Sequence, residues 1–227
     1  MTSETQKRAV GEAAAALVQD GMTVGLGTGS TAAFFVESLA GRGLTLKCVA
    51  TSAATAALAT KLGLTVIELD DAGEIDLTID GADEIGPGLA LIKGGGAALL
   101  REKLVWEASR RCVAIADASK HVENLGRFPL PIEVVTFGHV TTARRIAKAL
   151  SGQGIAAPPV LRVREGATVI TDNGGVLYDV ACGVILDPPA LAAALKPITG
   201  VVEHGLFLGL AAEGLIATDQ GVQTLHP

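Results

Sequence analysis

Residues 75–108 read IDLTIDGADEIGPGLALIKGGGAALLREKLVWEA. An apolar run, Ile75 to Ile79, reads as a strand that delivers two carboxylates, Asp80 and Asp83, at its end. A Pro/Gly turn follows, then a short strand carrying Lys93, then Gly94, Gly95 and Gly96. The spacing predicts a helix over Gly95 to Ala108, with Glu102 about two turns in. Two acids, a cation, a glycine hinge and a third acid make a turn far more elaborate than chain reversal needs. This is the candidate active site.

Outward from this stretch, strands and helices alternate. Met22 to Leu26, Leu44 to Ala50, Leu64 to Leu69, Ile75 to Ile79 and Cys112 to Ala116 read as strands, separated by Ala-rich helical segments. That alternation predicts an α/β fold with a doubly wound, mostly parallel, Rossmann-like sheet. Near Phe128-Pro-Leu-Pro131 the texture changes to a β-α-β-β-α pattern, the mark of a smaller α+β, ferredoxin-like domain inserted near the C-terminus. The expected division is residues 1–127 with 201–227 for the sheet domain and 128–200 for the small domain. Asn173-Gly174-Gly175 is a hairpin signal before a strand at Val176 to Val180.

With 227 residues the chain can bury a substantial core; 49% hydrophobic but only 3% aromatic content means that Ala, Val, Leu and Ile must build it. A net charge of −6 without a basic stripe argues against nucleic acid as a partner. No apolar run is long enough to span a bilayer and the N-terminus lacks a signal-peptide pattern, so a cytoplasmic protein is expected. Cys48, Cys112 and Cys182 lie far apart within apolar runs and read as small buried hydrophobes in a reducing compartment.

The loop after the first strand, Gly25-Leu-Gly-Thr-Gly-Ser-Thr31, invites a dinucleotide reading and fails it. The third glycine of GxGxxG is replaced by Ser30, and Ala50-Thr51-Ser52 stands where an acid should end the second strand. No GK[ST] follows, so a Walker A loop is also excluded. Thr28, Gly29, Ser30 and Thr31 at a helix N-terminus suit a single phosphate monoester. Alternatively, Ser30 or Thr31 simply caps the helix.

Each charged residue also has a plainer reading. Glu102 could be a surface acid, Lys93 an edge-strand lysine, and Asp80 and Asp83 parts of an Asx turn. Arg101 and Lys103, on either side of Glu102, read as solvated charges. Together at the carboxyl ends of the strands these groups point to proton transfer instead: a buried glutamate as base, an ammonium for the oxyanion, and aspartates for hydroxyls. With a phosphate anchor nearby, the assembly reads as an aldose–ketose isomerase.

The chain resembles the type A ribose-5-phosphate isomerase family in GLGTGSTA (25–32), DGADE (80–84), LIKGGGAALLREK (91–103), IADASK (115–120), FPLPIEV (128–134), TDNGG (171–175) and GVVEHGLF (200–207). The resemblance implies interconversion of ribose 5-phosphate and ribulose 5-phosphate in the non-oxidative pentose phosphate pathway, without metal or cofactor, by a homodimer. By motif, Glu102 is the base, with Asp80, Asp83 and Lys93 also catalytic; Asp83 is the choice for opening the furanose ring. Substrate contacts map to Thr28, Gly29, Ser30, Thr31, Asp80, Gly81, Ala82, Asp83, Lys93, Gly94, Gly95, Gly96 and Lys120, with Lys7 as a further phosphate ligand. Two departures stand out: TSAAT after the second strand is poor in serine, and Gly175 stands where asparagine is common. A sugar-phosphate-binding effector domain of a regulator is the alternative from another class, though no helix-turn-helix segment precedes the first strand. A CoA transferase with a glutamate nucleophile fits less well, because the phosphate loop is short for that cofactor.

Overall fold

The computed structural model describes residues 2–227. In chain order, α1 (Ser3–Ala15), β1 (Thr23–Leu26), α2 (Ser30–Ala40), β2 (Lys47–Ala50), α3 (Ala53–Lys61), the single turn α4 (Leu69–Ala72) and β3 (Leu77–Gly81) come first. The short strands β4 (Glu84–Ile85) and β5 (Leu91–Ile92) lead to α5 (Leu99–Glu107) and β6 (Cys112–Asp117). Next come β7 (Leu130–Val134), α6 (His139–Gly152), β8 (Val160–Leu161), β9 (Val163–Arg164), β10 (Ala167–Thr168), β11 (Val176–Val180), α7 (Pro188–Leu195) and β12 (Val201–His204). The chain closes with β13 (Leu206–Phe207), β14 (Glu213–Thr218) and β15 (Gly221–Leu225).

The main sheet has the order β15-β14-β6-β3-β1-β2 and is parallel except for β15. Strands β2 and β3 flank β1 on opposite sides, so the chain reverses its winding direction there. Such a reversal opens a crevice beyond the carboxyl ends of the strands. Its core joins Val24, Leu26, Ile79, Val113 and Ile115 to Val10 and Ala14 of α1 and Phe35 and Leu39 of α2. Each fully buried aliphatic side chain of this kind contributes about 1.5–3 kcal/mol. Gly11 lets α1 lie close on α2, since a Cβ there would stand 2.8 Å from the Phe35 nitrogen. Lys7, one turn earlier, is thereby carried to the start of α2.

The second sheet has the order β12-β7-β11-β8, antiparallel throughout. Numbered within this unit the order is 4-1-3-2 with two helices, the ferredoxin-like arrangement. Val201–His204 pairs with β7, so the small sheet extends past residue 200. A third sheet, β13-β5-β4, is antiparallel and carries Lys93 immediately after β5.

Several elements differ from expectation. Leu64 to Leu69 is not a strand: Val66 makes one parallel bridge to Cys48, and Leu69 opens α4. The helix after the glycines starts at Leu99, not Gly95, because Gly94 (φ 106°) and Ala97 (φ 66°) take left-handed conformations that no helix accommodates. Glu102 therefore sits in the first turn. Cys48 and Cys112 are buried, whereas Cys182 is only partly so. Among the described residues no helix is long and apolar enough to cross a membrane.

Candidate active site

The cleft beyond β1, β3 and β6 is lined by Lys7, Thr28, Gly29, Ser30, Thr31, Gly81, Ala82, Asp83, Lys93, Gly94, Gly95, Gly96, Glu102 and Lys120. Every substrate-contact residue expected from the motifs lines it except Asp80, which lies directly behind Lys93. Lys93, Asp80 and Glu102 are 1%, 0% and 2% exposed, so all three are interior groups.

Lys93 Nζ stands 2.9 Å from Asp80 Oδ2 and 3.4 Å from Glu102 Oε2, and donates to the Gly81 carbonyl at 2.6 Å. The rings of Trp106 and Phe207 flank the ammonium at 5.5 and 5.3 Å and meet each other edge to face. Burial works against the lysine's charge, but Asp80 and then Glu102 outweigh it and raise its pKa. Asp80 Oδ1 accepts the N–H groups of Thr28 (3.0 Å) and Gly81 (2.7 Å). Burial pushes the Asp80 carboxyl up, while Lys93 and these two donors restrain the rise. Burial likewise pushes Glu102 up to about 8, opposed by Lys93 and assisted by Asp80 and Asp83. One cation serves two buried carboxyl groups: Asp80 Oδ2 and Glu102 Oε2 both face Lys93 with no other partner among the described residues, and Asp80 has two backbone N–H donors on its other oxygen.

The glycines are there for close approach. A Cβ on Gly27 would lie 2.1 Å from Asp80 Oδ1, and one on Gly95 would lie 2.6 Å from Asp83 Oδ1. The Gly95 N–H in turn donates to Asp83 Oδ2 at 2.7 Å.

At the phosphate-suited end, neither Ser30 nor Thr31 caps α2. The N-cap is Gly29 (φ 116°), with no side-chain cap, and the first helical bond runs from the Ala33 N–H to the Gly29 carbonyl. The first-turn N–H groups are thus left for a ligand. Lys7 Nζ donates to Ser30 Oγ at 3.0 Å. Lys120 ends a short 3-10 turn capped by Asp117. Thr28 Oγ1 belongs to a hydroxyl cluster with Thr51 (2.7 Å), Ser52 (2.8 Å) and Thr55 (3.1 Å). The serine-poor TSAAT loop therefore still holds Thr28 from behind, and Ser52 caps α3 by accepting the Thr55 N–H.

One expectation about a neighbouring group changes. Lys103 is not a solvated charge: it is buried, donating to Glu203 (2.7 Å) and to the carbonyls of His204 (2.8 Å) and Leu206 (2.9 Å). Burial acts to raise Glu203, but Lys103 and Lys196 outweigh it and hold it at about 2. Burial and Lys103 push His204 down to about 4, so its ring is neutral and away from the cleft lining. The 203–207 segment is a cradle: Gly205 accepts the Lys93 N–H at 2.9 Å, and a Cβ there would lie 2.3 Å from the Lys93 carbonyl. Gly175 likewise leaves room for Glu133, whose Oε1 would be 2.8 Å from a Cβ. Sequence reasoning missed Arg162, between β8 and β9, and Arg164, at the end of β9, which donate to the Gly94 and Gly95 carbonyls.

A statistical model of the ribose 5-phosphate isomerase A (phosphoriboisomerase A) family matches residues 47–221. The chain belongs to the ribose 5-phosphate isomerase A family. A ribose-5-phosphate isomerase A from Caulobacter sp. (strain K31) is 63% identical, with 100% of both chains covered. The solved ribose 5-phosphate isomerase of Plasmodium falciparum is 37% identical with a TM-score of 0.93, covering 99% of each chain. A D-ribose-5-phosphate isomerase solved in complex with phospho-erythronic acid is 34% identical with a TM-score of 0.92, covering 100% of each chain. The chain is therefore an isomerase of ribose 5-phosphate, and its substrate is a pentose phosphate.

Proposed function

We propose that the cleft interconverts ribose 5-phosphate and ribulose 5-phosphate through an enediolate, with Glu102 as the base. The observation that carries this reading is the buried Asp80–Lys93–Glu102 set at the mouth of an uncapped helix N-terminus. The phosphate sits on the first turn of α2 with Ser30, Thr31, Lys7 and Lys120. The open-chain aldose then presents C2 to Glu102. The carboxylate takes the C2 proton, the electron pair forms the C1–C2 double bond, and the C1 oxygen becomes an oxyanion beside Lys93. Glu102 returns the proton to C1 while the O2 proton passes to the O1 oxyanion, giving the ketose. Asp83, held by the Gly95 N–H, opens the furanose ring by moving a proton between ring oxygen and the C1 hydroxyl, with Asp80 and Lys93 coupled to it.

Phospho-erythronic acid, a four-carbon acid phosphate, bound to a 34%-identical isomerase supports this reading, because its carboxylate resembles an enediolate in charge and shape. A domain that only bound sugar phosphate would have no use for a buried carboxyl held at about 8. Within the cell we place the reaction in the cytoplasmic, non-oxidative pentose phosphate pathway. We also propose a homodimer, supported by the exposed apolar side chains of Val135, Phe137 and Val140, and sedimentation velocity checks it.

Isomerisation in deuterium oxide, followed by NMR, tests the mechanism. Enediolate chemistry puts solvent deuterium on the receiving carbon in each turnover in which the proton on Glu102 exchanges before its return. Product and recovered substrate that both stay free of deuterium through prolonged equilibration, over many turnovers, would indicate a direct hydride shift and overturn the proposal.

A further inference from the structure

Two side chains of the small-sheet region reach across to the glycine loop. Arg162 Nη1 donates to the Gly94 carbonyl at 2.8 Å and lies 3.4 Å from the Gly95 carbonyl. Arg164 Nη2 donates to the Gly95 carbonyl at 2.6 Å. Arg162 is itself gripped by Asp179 of β11, through Nε at 2.8 Å and through Nη2. Its side chain is only 9% exposed, so it is a built contact and not a surface charge resting on the loop.

The same peptide units have business at their other ends. The Gly94–Gly95 peptide takes Arg162 on its oxygen and gives its N–H to Asp83. The Gly95–Gly96 peptide takes Arg164 on its oxygen, and its N–H, on Gly96, meets no acceptor among the described residues although Gly96 lines the cleft. A cation on a carbonyl polarises the peptide and strengthens its N–H as a donor. It also fixes the plane of a glycine peptide that would otherwise turn freely.

We propose that Arg162 and Arg164 are positioning residues of the isomerisation: they orient and polarise the Gly94–Gly96 peptides, so that the Gly95 N–H holds Asp83 and the Gly96 N–H donates to the sugar oxyanion. The inference rests on the enediolate reading above. It gives the small sheet a part in the chemistry performed at the edge of the large one. Arg164 makes no ion pair among the described residues, so removing it strands no carboxylate. Arg162 is tested together with Asp179, as Arg162→Met/Asp179→Leu, to avoid leaving that acid alone.

The experiment measures kcat, KM, thermal midpoint and the affinity for inorganic phosphate in Arg164→Met, Arg164→Lys, Arg164→Ala and the double variant, with Glu102→Gln alongside. Arg164→Met is expected to lose about tenfold in kcat, with KM, phosphate affinity and thermal midpoint unchanged. Arg164→Lys should keep most of the rate, and millimolar guanidinium should restore part of it to Arg164→Ala. The Gly95 and Gly96 amide resonances should shift in each variant that loses the cation. Unchanged kcat in Arg164→Met and in the double variant, beside an inactive Glu102→Gln, overturns this inference alone. A loss of kcat that appears only together with a lowered thermal midpoint and weaker phosphate binding also overturns it, since that is structural damage. Wild-type turnover in Glu102→Gln overturns the base reading whatever the arginines do.

Discussion

Lys93 Nζ lies 3.4 Å from Glu102 Oε2, and neither side chain is more than 3% exposed. Asp80, 2.9 Å away on the ammonium, already matches its charge. Glu102 is therefore a second buried carboxyl group facing one cation, and burial holds its proton up to about 8. Lys93 stays protonated across that range because its own pKa is raised. A base that releases its proton near 8 is matched to drawing a proton from carbon at neutral pH.

The pH profile follows from that value. As the proposed base, Glu102 must be ionised, so kcat/KM should rise with pH through about 8. Stability moves the other way. The folded carboxyl binds its proton more tightly than the ordinary glutamate value of 4.5, so its contribution is complete below 4.5 and lost as pH rises through about 8. Glu102→Gln cannot ionise, and its thermal midpoint should gain on the wild type by about 3 °C or more between pH 5 and 9. A constant gap between the two melting curves would contradict the raised pKa.

Removing the cation leaves the buried Asp80 carboxylate unpaired beside Glu102. Lys93→Met should lower stability by about 3–5 kcal/mol at pH 7, measured by urea unfolding. The loss should shrink as pH falls and Asp80 takes up a proton, Glu102 already holding its own below about 8. Turnover should fall by about 10²–10³-fold. Unaltered turnover would remove Lys93 from the oxyanion role.

Gly27 is a steric requirement of Asp80 and not a mark of nucleotide binding. A methyl group there would stand 2.1 Å from Asp80 Oδ1 and 2.5 Å from its Cα, so the strand end must move. Gly27→Ala should destabilise by about 1–3 kcal/mol and displace Asp80 from Lys93, lowering kcat. A variant with wild-type stability and kcat would show that the crevice is less tightly built.

Lys7 reaches the site only through the close packing of α1 on α2 at Gly11. In the proposed role of phosphate ligand it would bind ground and transition states alike. Lys7→Ala should therefore raise KM by about 10- to 100-fold, the equivalent of one charge-assisted hydrogen bond, while kcat stays within about twofold. A loss confined to kcat would move Lys7 out of the phosphate site.

Much of this molecule is legible in its sequence because local signals carry it. Apolar runs alternating with Ala-rich helices mark the parallel sheet, and the groups after β1, β3 and β6 must meet once those strands lie side by side. The illegible parts depend on partners far along the chain. Lys103 looks solvated until Glu203, a hundred residues later, closes over it. Arg162 and Arg164 gain meaning only when the small sheet is set against Gly94 and Gly95. Leu64 to Leu69 has the apolar content of a strand, but only Val66 finds a bridge partner at the sheet edge. The strand Gly221–Leu225 escapes notice because it is a mostly polar edge strand. The glycine run looks like a helix start, yet Ala97 at φ 66° delays the helix to Leu99. That delay puts Glu102 in the first turn, beside Lys93.

The most direct test is turnover of Glu102→Gln on ribose 5-phosphate, with affinity for phospho-erythronic acid measured on the same preparation. The account predicts a kcat lower by about 10²–10⁴-fold, with the acid phosphate still bound within about an order of magnitude of wild type. Turnover close to wild type in a variant that binds normally would contradict it.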